Sequence, residues 1–513
     1  MSDAVILNPG ETRLGELRAI WSGAGVDLDA AAWRAVDAGA DSIGRIVASG
    51  KTVYGVNTGF GLLAQTRIDD GRLAELQRNL VMSHACGLGP DLSREIVRLL
   101  MALKVIGLAR GYSGASRAVI RQLLSMLERE AIPCIPAQGS VGASGDLAPL
   151  AHLTAAMMGV GKIAVKGVAM PAAEALAKVD LAPLALGPKE GLALLNGTQV
   201  STAIALDALF VARNVFASAL VAGALSVDAL QGSDAPFDPR LNALRGQPGQ
   251  IRVAAFLKAA MEGSEIRRSH IECDRVQDPY SFRCQPQVMG ACLDLLEAAA
   301  RTLEIESNAV SDNPIIFPDT DEAVSGGNFH AQPVAFAADQ IVMAMCEAGS
   351  ISERRIAVLV DPKMSGMPAF LVEDGGVNSG FMIPQVTAAA LVAENRSLAF
   401  PASVDSVPTS ANQEDHVSMA TGAARKADQV ARNAAGVIAV ELMAAAQGID
   451  FHAPCKTSPA LQDVHALIRQ QTAFLARDRY LADEMASLRK IVAAGELLSS
   501  PAVARLSGAL FSA

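Results

Sequence analysis

The chain has 513 residues, 51% hydrophobic and 19% charged, a length of roughly three domain-sized units and a composition that excludes intrinsic disorder. Its 43 basic and 53 acidic side chains give a net charge of −10, which excludes a general attraction to nucleic acid or anionic lipid. Aromatic residues are only 4%, and alanine recurs in blocks such as Ala298-Ala299-Ala300 and Ala444-Ala445-Ala446; strands favour aromatic and β-branched residues and helices favour alanine, so an all-α fold is expected.

In chain order, residues 1–11 carry no basic segment and no apolar segment, so no targeting signal is expected. Ile96, Leu99, Leu103 and Ile106 recur at helical spacing. Residues 203–230 are apolar on nearly every face, with Asp207, Arg213 and Asp228 as rare charged interruptions, which predicts a central helix of a large bundle or an oligomer core. Met289, Leu293, Leu296, Ala300 and Leu303 form a heptad-like seam. Residues 334–360 and 429–447 read as further long helices. No uninterrupted apolar run reaches the ~20 residues of a membrane span; residues 375–393 lack charges but contain Asn378, Ser379, Gly380, Pro384 and Gln385. A division near residues 198–202 is expected, with a loop-rich part over 1–200 and a long-helix bundle with C-terminal helices over 201–513.

Seven scattered cysteines without a C-x-x-C pair read as reduced thiols of a cytoplasmic protein. The seven histidines show no metal-ligand spacing, so no metal is expected, and no dinucleotide, P-loop, zinc-protease or EF-hand signature is present. Arg267-Arg268 and Glu353-Arg354-Arg355 read as solvated or ion-paired helix faces.

Between the helical stretches lie polar, glycine-bearing segments at 54–61, 139–146, 196–199, 277–287, 311–314, 326–330 and 408–416. Loops held by a rigid scaffold are where binding and catalysis concentrate. Gly142-Ala143-Ser144-Gly145-Asp146 fails as a nucleophile elbow, because Asp146 stands where that motif needs glycine. In Ala143-Ser144-Gly145 the amide nitrogen of Gly145, unencumbered by a Cβ, can approach the Ala143 carbonyl carbon. Closure with loss of two waters gives a 4-methylidene-imidazol-5-one (MIO), a strong electrophile made from the chain itself. The plain alternative is a small-residue turn before a helix capped by Asp146.

The string Gly139-Ser-Val-Gly-Ala-Ser-Gly-Asp-Leu-Ala-Pro-Leu-Ala-His152 resembles the signature of the aromatic amino-acid ammonia-lyases. The resemblance extends over nearly the whole chain, through Tyr54-Gly-Val-Asn-Thr-Gly-Phe-Gly61, Leu195-Asn-Gly-Thr-Gln199, Gln277-Asp-Pro-Tyr-Ser-Phe-Arg283, Ser311-Asp-Asn-Pro314, Gly326-Gly-Asn-Phe-His330 and Gln413-Glu414. It implies a fumarase/aspartase-like helical bundle, a homotetramer with active sites shared between subunits, and an MIO group from Ala143, Ser144 and Gly145 with no external cofactor. It further implies Tyr54 as the base, on a loop made mobile by Gly55, Gly59 and Gly61, Asn196 as hydrogen-bond donor to the ring oxygen, and Tyr280 as a second catalytic tyrosine. Arg283 would clamp the substrate carboxylate bidentately, with Gln277 and Phe329 at the substrate. A free tyrosine titrates near ~10, so a basic Tyr54 needs a positive field or a partner.

Ser83-His84 and Glu414 bear on the substrate ring. The phenylalanine and tyrosine enzymes of the family carry Phe-Leu or His-Leu at the position of Ser83-His84. A polar His84 instead suits an imidazole, which offers both a donor and an acceptor, and Glu414 answers its second nitrogen. The implied reaction is non-oxidative deamination of L-histidine to trans-urocanate and ammonia. The plain readings are a packed helix histidine for His84 and a carboxylate at a helix N-terminus for Glu414. They are a packed tyrosine for Tyr54, a turn asparagine for Asn196, a surface ion pair for Arg283 and core for Phe329. Action on phenylalanine or tyrosine, aminomutase chemistry, a serine hydrolase using Ser144 and a catalytically silent relative stay open.

Overall fold

The computed structural model describes residues 4–50, 52–59, 67–270 and 276–511; Phe60 and Gly61 of the first loop motif, and Cys273, lie outside them. The architecture is all-α. The periodic stretches form helices Arg94–Ala109, Gln199–Ala229, Gln285–Ser307, Gln332–Val360 and Ala420–Asp450, the last four of 31, 23, 29 and 31 residues. The described strands are three or four residues long and pair only into sheets of two or three strands, in keeping with the scarcity of aromatic residues.

The chain divides into two compact units. The first comprises Met1–Asp207, Ala300–Ala338 and Pro401–Arg425. Its core includes helix Arg94–Ala109, buried on all faces beyond its first turn, and the apolar helix Leu147–Met157. The rest of the chain forms the second unit, Ala208–Ala299, Asp339–Phe400 and Lys426–Ala513. There alanines such as Ala431, Ala434, Ala435, Ala439 and Ala445 are buried, and their small side chains let long helices pack closely without loss of helix propensity.

Arg355 and Glu441 form an ion pair within this second unit, both side chains fully buried, and Ser226 Oγ donates to Glu441 Oε1 over 2.7 Å. Arg355 is thus ion-paired as one of the two readings had it, but it is not solvated. Helices Gln199–Ala229 and Gln332–Val360 are long and apolar enough to cross a membrane, with 94% and 67% of their most apolar windows buried inside the protein. The six described cysteines are free thiols. Burial pushes Cys292 up to about 12 and Cys346 up to about 11, and Glu347 raises both further.

Candidate active site

The turn at 139–146 is shaped by two glycines and a buried carboxylate. Gly142 and Gly145 have φ of +66° and +69°, left-handed values that favour glycine. A Cβ on Gly145 would lie 2.3 Å from the Gly197 carbonyl oxygen, and one on Gly142 would lie 2.3 Å from Ser418 Oγ. Asp146, fully buried, precedes helix Leu147–Met157, but its carboxylate does not cap that helix. Instead Oδ1 accepts from Ser140 Oγ at 2.8 Å and Thr421 Oγ1 at 2.7 Å, and Oδ2 accepts from the Ser201 amide at 2.7 Å and its hydroxyl at 2.9 Å. Ser418 Oγ donates to the Gly142 carbonyl at 2.9 Å, and the Asp146 amide donates to Gly197 O at 2.8 Å. The plain turn-and-cap reading fits the place of Asp146 before the helix, but the carboxylate gives the helix no cap and serves this frame instead.

Ser144 occupies the middle of the turn. Asn196 Nδ2 donates to its carbonyl oxygen at 2.6 Å, while the buried Asn196 Oδ1 has no partner among the described residues. Ser144 Oγ donates to Glu414 Oε1 at 2.6 Å. These contacts fit a ring closed between Ala143 and Gly145: the oxygen that Asn196 already grips is the one an imidazolone would keep. The close approach of Gly145 to Gly197 also leaves no space for a side chain on the ring-closing nitrogen's residue.

Glu414 is not at a helix N-terminus; the next long helix begins at Ala420. It closes a tight loop in which Ser410, Ala411 and Asn412 have φ of +50°, +53° and +67°. Its Oε2 accepts from Thr409 Oγ1 at 2.6 Å and Ser410 Oγ at 2.9 Å. Burial alone would raise the Glu414 carboxyl, but the hydrogen bonds from Ser144, Thr409 and Ser410, with the field of His84, hold it below its ordinary range.

His84 ends helix Leu73–His84. Its Nδ1 lies 2.8 Å from the Leu80 carbonyl. A carbonyl only accepts, so Nδ1 carries a proton, and Nε2 remains the variable nitrogen. Ser83 Oγ lies 2.9 Å from the same Nδ1 and donates to Leu80 O at 3.0 Å, so Ser83 orients the ring.

Tyr54 is half-buried beside Gly55. Gly55 has φ of +73°, and a Cβ there would lie 2.2 Å from Leu192 Cδ2. This glycine answers a turn and a close packing contact, a different demand from the loop mobility expected of it. Gly59 is buried.

Tyr54, His84, Ala143, Ser144, Asn196, Phe329 and Glu414 line one cavity of about 820 Å³, a size suited to a small metabolite. All belong to the first unit. Five separate loop motifs and a helix end thus converge. Among the lining residues that the sequence did not single out are His330 and His416, whose rings stack at 5.8 Å with 7° between planes. Both fell inside motifs already marked as polar loops, which was the available signal.

Gln277, Tyr280 and Arg283 belong to the second unit and are not among the lining residues of that cavity. Gln277 is exposed, Tyr280 is 71% exposed, and the Arg283 guanidinium lies 4.6 Å from the Tyr280 ring centroid. No group of three or more histidine, cysteine or acidic side chains is placed to hold a metal among the described residues.

An all-α chain with this turn and cavity matches the family model described as aromatic amino acid lyase over residues 12–470, and the chain belongs to that family. It is 58% identical over 493 residues to the histidine ammonia-lyase of Aromatoleum aromaticum, covering 96% of this chain and 94% of that protein. It superposes on the crystal structure of histidine ammonia-lyase from Trypanosoma cruzi with a TM-score of 0.91 at 38% identity, covering 99% of this chain and 98% of the other. Tyrosine aminomutase from Streptomyces globisporus gives a TM-score of 0.91 at 34% identity over 98% of this chain and 99% of the other.

Proposed function

We propose that the chain is a carbon–nitrogen lyase that deaminates L-histidine to trans-urocanate and ammonia. The observation that carries this reading is the placement of Ser144, Asn196, Glu414 and His84 around one cavity, with 58% identity to a histidine ammonia-lyase beside it. Ala143, Ser144 and Gly145 close into the imidazolone: the Gly145 nitrogen bonds to the Ala143 carbonyl carbon, that oxygen leaves as water, and Ser144 loses its hydroxyl and α-hydrogen as a second water. The ring supplies an electrophilic carbon that converts the substrate amine into a competent leaving group.

The chain's own side chains do the rest. Asn196 donates to the ring oxygen and stabilises charge there. His84 Nε2 and Glu414 pair with the two imidazole nitrogens, and Tyr54 Oη removes the β-proton. Phe329 covers the ring and excludes water. Gln277, Tyr280 and Arg283 complete the site of a neighbouring subunit in a homotetramer, where Arg283 clamps the substrate carboxylate. The enzyme works in the cytoplasm without a metal, nucleic-acid or membrane partner, and the 1–200 part carries the ring-forming loop ahead of the 201–513 bundle.

Intact mass and product formation test the reading together. The mature chain is expected two waters below its sequence mass, and it is expected to turn over L-histidine far faster than L-phenylalanine, followed by absorbance of the conjugated product. A full-mass, fully active chain removes the ring. Recovery of a β-amino acid by product NMR would instead favour the aminomutase reading.

A further inference from the structure

Helix Arg94–Ala109 carries one lysine in an otherwise apolar stretch, Lys104, and it is 1% exposed. A buried amine needs partners. Its Nζ donates to the Asn196 carbonyl oxygen at 2.7 Å and to Gln199 Oε1 at 3.2 Å. The nearby buried carboxylate of Asp312 already has a cation, Lys189 Nζ at 2.7 Å. Burial pushes Lys104 down to about 7 against the fields of Asp312 and Asp146, with Lys189 lowering it further. Beside it lies a cavity of about 10 Å³ lined by Lys104, Gln199, Ser311 and Asp312 among others, near the minimum for one water.

The Asn196 carbonyl matters because of what the same residue does on its other side. Asn196 Nδ2 donates to Ser144 O at 2.6 Å. The next residue, Gly197, bridges Gly145 and accepts from the Asp146 amide at 2.8 Å. Residues 196–197 are therefore the wall against which the 143–145 turn rests. We propose that Lys104 is a positioning residue that fixes this wall, so that the turn is held in ring-closing geometry and the Asn196 amide is aimed at the ring oxygen. Lys104 touches neither substrate nor ring; it acts through Asn196. This rests on the reading of Ser144 as ring-forming.

The test uses the full-length chain with Lys104→Met and Lys104→Arg. Three quantities are read: the fraction two waters light by intact mass, kcat and KM of the processed fraction, and the thermal midpoint. Lys104→Met is expected to lower either the processed fraction or kcat at least tenfold, with KM within twofold. Lys104→Arg, which restores donors to both acceptors, is expected to recover most of the loss. If Lys104→Met gives no folded protein, Lys104→Gln, polar but one bond shorter, takes its place in the same comparison. Full processing with kcat within twofold of wild type overturns the proposal. So does a loss confined to KM, or an equal loss in the arginine variant that tracks its thermal midpoint. A wild-type chain at full sequence mass defeats the ring reading itself, whereas a processed wild type with an equally processed and active Lys104→Met defeats only the role of Lys104.

Discussion

Ser144 Oγ donates to Glu414 Oε1 over 2.6 Å across 270 residues of sequence. The residue proposed to become the electrophile and the residue proposed to read the substrate ring are thus in direct contact, and the same carboxylate stands within the field of His84. The two proposed roles, ring formation and ring recognition, thus fall on one hydrogen-bonded cluster of the unprocessed chain.

Replacing Ser83-His84 by Phe-Leu is expected to reduce kcat/KM for L-histidine sharply while admitting L-phenylalanine weakly. A buried group left unpaired costs about 1–3 kcal/mol, so His84 and Glu414, if a bound substrate covers both, are expected to supply discrimination on the order of a hundredfold or more. Retained Glu414 keeps phenylalanine turnover poor. Measurement of kcat/KM for both amino acids checks this, and an unchanged histidine preference removes His84 from ring recognition.

Thr409→Val deletes the shorter of the two bonds that hold Glu414 Oε2. The acceptor is charged, and such a bond contributes roughly 1.5–3 kcal/mol. With Ser410 still in place, kcat/KM for L-histidine is expected to fall about tenfold. The ratio to L-phenylalanine should narrow as well, because Glu414 loses orientation. Equal loss on both substrates would indicate general loosening of the loop.

Gly55→Ala is expected to destabilise on two counts, a left-handed φ of +73° and a contact with Leu192 Cδ2 at 2.2 Å. The backbone part costs about 1–2 kcal/mol. Urea unfolding of Gly55→Ala alone and combined with Leu192→Ala separates the parts. The second change relieves the clash and leaves the backbone cost; coupling near zero between the two sites would contradict the packing argument.

Lys104 also predicts a pH dependence of stability. The folded chain keeps its proton only below about 7, while the unfolded chain keeps it to near the ordinary value of 10.5. Between those values the unfolded state binds more protons, so this group makes stability rise with pH across the window, by up to about 1.4 kcal/mol per unit. Below about 7 both states hold the proton and its contribution is flat. Urea midpoints at pH 7 and pH 9 should show a smaller rise in Lys104→Met than in wild type.

Arg283→Lys is expected to lower histidine turnover strongly, since a point charge does not reproduce a bidentate clamp. Histidinamide, lacking the carboxylate, should be a poor substrate of the wild type. Equal kcat/KM for histidine and histidinamide would remove Arg283 from the carboxylate.

The long helices were readable because alanine content and apolar spacing report directly on helix packing. The site was readable as a set of loops, since Tyr54, Ser144, Asn196, Phe329 and Glu414 each sit in a segment that mixes glycine or proline with polar residues or adjoins one. What held those loops was not readable. Asp146 looks like a helix cap in sequence, yet its carboxylate serves Ser140, Ser201 and Thr421, a choice that depends on tertiary neighbours. Thr409 and Ser410 seemed to lead into a helix, but three left-handed residues turn the chain back so that both face Glu414. Lys104 carried a signal, a lone cation within an apolar helix, but its partners could not be named before the fold placed Asn196 beside it.

The frame around Asp146 bears on how the protein is made. Its hydroxyl donors lie 6, 55 and 275 residues away, and the Ser418 strap on Gly142 spans 276. A ribosome-bound chain that has not reached Thr421 cannot present the strapped turn, however well its earlier helices have formed. The loop proposed to close into the ring therefore acquires its strapped shape late in biosynthesis, and a truncated translation product carries the Ala143-Ser144-Gly145 tripeptide without that geometry.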